Sequence, residues 1–100
     1  MSYFDQPPTE TFIVTCDLRL PGQSYDALYD ALLLLPGATK FQQSCWFVRW
    51  PGSAVELRNW LRQYIDPNDR LMVARTDSAA WIDPDLLARM AANGYPTVAA

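Results

Sequence analysis

The chain predicts an α+β domain of ferredoxin-like topology, with the order β-α-β-β-α-β. Two helical stretches of 3- and 4-residue apolar spacing sit among four short β-rich segments. Proline–glycine pairs break the chain between them. Half of the 100 residues are hydrophobic and thirteen per cent are aromatic, enough apolar area for one core. The expected sheet is antiparallel, of order 4-1-3-2, with two helices on one face and a short third helix at the C-terminus. Residues 1–10 read as an N-terminal extension, 11–82 as the ferredoxin-like domain and 83–100 as the C-terminal helix and tail.

Thr11 to Leu18 alternate, with Phe12, Val14 and Cys16 on one face and Ile13, Thr15 and Asp17 on the other, which predicts strand one. Pro21 and Gly22 break it. Ser24 is placed to cap a helix whose Tyr25, Leu28, Tyr29, Leu32 and Leu35 share a face, and Pro36–Gly37 end that helix. From Ala38 to Trp50 the aromatic run Phe41, Trp46, Phe47, Val48 and Trp50 is interrupted by Gln42, Gln43 and Ser44, which predicts two short antiparallel strands.

After the turn at Pro51–Gly52, Ser53 and Glu56 have the spacing of a capping box. The helix that follows carries Leu57, Trp60, Leu61 and Tyr64 on one side and Arg58 and Arg62 on the other. Asp66, Pro67 and Asn68 make a turn before strand four, Leu71 to Thr76. Asp83 and Pro84 supply an N-cap and a first-turn proline for a helix from Asp85 to Asn93, stopped by Gly94, and the residues after it read as a fraying tail.

There is no histidine, which removes Ser/His and Cys/His nucleophiles, histidine general bases and ordinary Cys/His zinc sites. Catalysis would have to use carboxylates, a bound metal, hydroxyls or thiols. The two cysteines, Cys16 and Cys45, have no metal-binding spacing and are expected in the core rather than in a disulfide. The N-terminal residues have neither the basic start nor the apolar run of a secretory leader, and nothing is long enough to span a membrane. A reduced, cytoplasmic protein is the expectation. Eleven acidic against eight basic residues give a net charge of −3, opposite to the usual footprint of a phosphate-binding domain.

In the expected sheet, strands one and three are neighbours, so Asp17 and Cys16 lie beside Ser44 and Cys45. That corner is the best place for chemistry. Asp17 is a carboxylate suited to Mg²⁺ or Mn²⁺, or else a strand-end group that caps a loop or pairs with Arg19. Ser44 could orient a water or phosphate, or be an ordinary turn residue. For nucleic acid the candidate cations are Arg19, Lys40, Arg70 and Arg75, with Arg58 and Arg62 either joining them or, on the outer face of their helix, solvated or paired with Glu56 and Asp66. Tyr25, Trp46 and Trp50 are possible stacking platforms. Trp46, Trp50, Trp60 and Trp81 also suit a core or a dimer interface.

The string Phe12-Ile13-Val14-Thr15-Cys16-Asp17-Leu18 with Pro21-Gly22 and Tyr25 resembles the opening of the SinR-like family. The blocks Ser44-Cys45-Trp46-Phe47-Val48, Glu56-Leu57-Arg58 through Ile65-Asp66, Asp69-Arg70-Leu71 and Ala80-Trp81 follow in matching order. That family is related to the VapD toxins and to the small ferredoxin-fold subunit of the CRISPR adaptation complex. The resemblance implies a homodimer that binds or cleaves RNA or DNA, in which the aspartate at the Asp17 position helps hold a magnesium ion across the twofold. Other members of that fold are structural pieces of larger machines. The acidic charge points instead to a non-catalytic, protein-binding or inhibitory module, such as a phage or accessory element encodes.

Overall fold

The computed structural model describes residues 9–17 and 25–95. Its elements are β1 (Glu10–Asp17), α1 (Asp26–Leu33), β2 (Thr39–Gln42), β3 (Cys45–Trp50), α2 (Ala54–Leu61) continued by a 3₁₀ turn (Arg62–Tyr64), β4 (Arg70–Arg75) and α3 (Leu86–Ala92). The strands form one antiparallel sheet of order β2-β3-β1-β4. This is the expected order read from the other edge.

The alternation in β1 sets the layers. Phe12, Val14 and Cys16 are buried on the face that meets Leu28 and Leu32 of α1, Leu57 and Leu61 of α2, and Trp46 and Val48 of β3. Each fully buried Leu or Phe is worth about 1.5–3 kcal/mol of transfer free energy, so this face dominates the stability. The capping box that starts α2 is present: the Glu56 N–H donates to Ser53 Oγ at 3.1 Å and the Ser53 N–H to Glu56 Oε1 at 3.0 Å.

The opposite face of the sheet is half covered. Phe47 points away from Trp46 and Val48, and with Ile13 and Phe41 it meets Leu86 and Met90 of α3 and Tyr95. Thus α3 sits on the far side of the sheet from α1 and α2, over the β2–β3 half. It is anchored there by the Asn93 side-chain N–H, which donates to Thr39 Oγ1 at 2.7 Å. Gly37 closes the path from α1 to β2 with φ +71°, and a Cβ there would meet Tyr95 Oη at 2.7 Å.

Several boundaries differ from expectation. β1 begins at Glu10 and β4 at Arg70, because the ladder to β1 pairs Asp17 with Arg70. The N-cap of α3 is Asp85, not Asp83, and its side chain makes no capping bond. Asp83 instead accepts the Asp85 N–H at 2.9 Å and pairs with Arg89 at 3.0 Å, holding the turn before the helix. Residues 1–8, the end of strand one at Leu18, the break at Pro21–Gly22, the Ser24 cap and the tail from residue 96 lie outside the described residues. Among the described residues no helix is long and apolar enough to cross a membrane.

Candidate interaction edge

At the corner singled out by sequence, the Cys16 N–H donates to the Ser44 carbonyl at 2.9 Å, and Asp17 stands opposite Arg70 on β4. Asp17, Ser44 and Arg70 are therefore brought together at one end of β1, all exposed. The remaining cations are elsewhere. Arg19 lies outside the described residues. Lys40 stands on the β2 edge with Nζ 5.5 Å from the centre of the Tyr29 ring, and Arg75, at the other end of β4, pairs with Glu10 at 3.2 Å. Three strand spacings of about 4.8 Å put β2 and β4 roughly 14 Å apart, so Lys40 does not join Arg70 and Arg75 in one patch.

The proposed stacking rings are committed to packing. Tyr25 is half-buried and its hydroxyl donates to Asp69 Oδ1 at 2.9 Å. Trp46 is buried and stacks on Tyr29 at 6.2 Å, and Trp50 lies against Trp60 at 5.8 Å.

Cys16 is buried, and burial first, then the neighbouring Cys45 and Asp69, push its thiol up to about 11, which makes it a poor nucleophile at neutral pH. Cys45 is half-buried, and both thiols are free. Cys45 pairs with Thr15, so the register turns it to the face opposite Cys16. Among the described residues no three Asp, Glu or Cys side chains lie close enough to hold a metal ion. Among the described residues the corner has the carboxylates of Asp17, opposite Arg70 in the ladder, and of Asp69, which already holds the Tyr25 hydroxyl and the Asp66 N–H, a poor fit for a hard dication. The carboxylates of Asp66 and Asp69 serve the turn before β4: Asp66 accepts the Asn68 N–H at 2.9 Å and Asp69 the Asp66 N–H at 3.0 Å.

The feature missed in the sequence is the outer edge of β4, which pairs with no other strand among the described residues. The Thr76 N–H donates to the Thr11 carbonyl at 2.9 Å, continuing the ladder by one residue past Arg75. The antiparallel pattern then assigns the backbone groups of Arg70, Met72 and Ala74 to β1. The bond from Cys16 to Ser44 gives the same parity from the other side of β1. Leu71, Val73 and Arg75 consequently turn their N–H and C=O outward, away from the sheet.

Beside this edge runs a groove against α2. Its smaller part, about 190 Å³, is lined by Ala54, Val55, Arg58, Leu71, Met72 and Val73. Its larger part, about 380 Å³, continues past Arg58 and Arg62 to Ile65, Asp66, Pro67 and Asp69. Val55 and Met72 are 54% and 58% exposed, large for apolar side chains in such a position. Arg58 and Arg62 are both exposed, in keeping with the expectation of solvated or paired side chains, and neither pairs with Glu56 or Asp66 among the described residues: Glu56 is held by the capping box, and Arg58 donates to the Asn59 side chain at 2.9 Å. The signal available in the sequence was the apolar alternation of Leu71 and Val73 between two arginines, set against Arg58 and Arg62 one helical turn apart.

No protein-family model matches the chain, and no solved structure matches it.

Proposed function

We propose that this protein is a non-catalytic interaction module of ferredoxin-like fold, whose working surface is the free edge of β4 and the groove beside α2. The observation that carries the reading is the outward set of backbone donors and acceptors at Leu71, Val73 and Arg75 above an apolar floor. An extended segment adding there gains main-chain hydrogen bonds from the edge and side-chain pockets from the groove. The raised thiol of Cys16 and the arginine facing Asp17 both weigh against chemistry at the corner.

A second reading has one observation in its favour. Ser44 bonds the β1 backbone next to Asp17, Arg70 stands opposite Asp17, and the SinR-like resemblance assigns the Asp17 position a share of a Mg²⁺ or Mn²⁺ site in a homodimer acting on RNA or DNA. In that reading the second carboxylate comes from the other protomer.

One set of assays separates them. The pure chain is titrated with a panel of blocked, strand-forming octapeptides. In parallel it is incubated with labelled RNA and DNA, with Mg²⁺ or Mn²⁺ and then with EDTA. The interaction reading expects saturable binding of at least one peptide and no nucleic-acid cleavage above that of Asp17→Ala. Metal-dependent cleavage that disappears in Asp17→Ala, with no peptide bound, would overturn it.

A further inference from the structure

The lining of the groove narrows the class of partner. α2 runs antiparallel to β4: Ala54 and Val55 lie beside Val73, whereas Arg62 lies beside Asp69 and Leu71. A strand added to the free edge of β4 would therefore run beneath α2 with alternate side chains turned towards it. Arg58 and Arg62 are four residues apart, a rise of about 6 Å along the helix. Alternate side chains of a strand are about 6.6–6.8 Å apart. The backbone positions that carry the two arginines thus have nearly the spacing of residues i and i+2 of a β-strand. A guanidinium is suited to a carboxylate partner, which it can bind by two parallel hydrogen bonds.

We infer that the β4 edge takes an extended acidic segment of another protein, with carboxylates at alternate positions facing Arg58 and Arg62 and apolar side chains between them facing Met72. The inference rests on the interaction reading and names its ligand class. Between the arginines and the sheet the floor is apolar, supplied by Val55, Leu71 and Val73. A nucleic-acid strand has no use for the strand-edge donors and acceptors.

A second copy of this chain is a poor occupant. None of β1 to β4 carries carboxylates at alternate positions.

The test is a titration with a blocked octapeptide of alternating glutamate and valine, against its lysine–valine counterpart and oligothymidylate. The variants are Arg58→Glu/Arg62→Glu and the milder Arg58→Gln/Arg62→Gln, all at exposed helix positions and checked for retained helicity. The glutamate–valine peptide is expected to bind, more weakly at high salt. The glutamine pair should lose about tenfold in affinity and the reversed pair more, with the reversed pair gaining affinity for the lysine peptide. Equal binding of the acidic and basic peptides by the native chain would overturn the ligand class and leave the interaction reading standing. Failure of every peptide would overturn both. Tighter binding of oligothymidylate, lost in the same variants, would assign the groove to nucleic acid. Concentration-dependent dimerisation abolished by the arginine variants would assign it to a second copy. Either result overturns the inference.

Discussion

Arg58 on α2 and Leu71 on β4 line both parts of the cleft beside the sheet edge, so the two parts form one groove running from Val55 to Asp69. The edge alone would be an aggregation hazard, and terminal arginines are a common way of blunting one. Arg70 and Arg75 fit that protective role. Arg58 and Arg62, on a different element, do not, and they give the edge its directionality and charge preference.

The capping box fixes where α2 starts and hence where Arg58 and Arg62 lie. Ser53→Ala removes the acceptor for the Glu56 N–H. The expected loss is about 1 kcal/mol, read as a lower urea midpoint at unchanged slope.

Gly37 combines a positive φ with contact against Tyr95. Gly37→Ala should cost about 1–3 kcal/mol, and the loss should be visible first as displacement of the Tyr95 ring and loosening of α3. Thermal unfolding followed by near-ultraviolet dichroism measures both.

Leu86 anchors α3 to the second face of the sheet and is 1% exposed. Leu86→Ala is expected to destabilise the protein by about 2–5 kcal/mol. Amide exchange should quicken in α3 more than in α1 or α2, since these pack on the other face.

The chain should lose stability at alkaline pH. Burial raises the Cys16 thiol from 9.0 to about 11 and the Tyr95 hydroxyl from 10.0 to about 12. Both groups hold their protons more tightly when folded, so their contribution is complete below pH 9 and is lost as pH rises through 9 to 12. Urea midpoints across that range should fall. The fall should be shallower between pH 9 and 11 in Cys16→Ala, relative to that variant's own value at pH 8.

The parts of the fold carried by local chemistry were legible in the sequence. Phe12, Val14 and Cys16 alternate because β1 buries one face, and Ser53 with Glu56 marks the start of α2 whatever the tertiary setting. The sheet order followed from the sequence of elements. The side on which α3 docks did not. Leu86 and Met90 make a stripe that fits either face, and the deciding residue is Phe47, an aromatic of opposite parity to Trp46 and Val48. Of the candidate corner, the approach of Ser44 to the end of β1 was readable from strand adjacency. Lys40 and the tryptophans could not be placed, because whether a cation or ring faces solvent or another side chain is settled by packing. The groove was invisible for the same reason: it exists only where α2 and β4 fail to close over Val55, Leu71 and Val73.

The central claim is that β4 is an open edge that receives a strand, and backbone amide spectra of the chain titrated with the glutamate–valine octapeptide test it most directly. The account predicts large shifts and slowed exchange at Leu71, Val73 and Arg75, with Met72 and Ala74, already bonded to β1, little changed in exchange. Protection that appears instead on β2, on α3 or around Asp17 and Ser44, with the amides of Leu71 and Val73 unaffected, would contradict it.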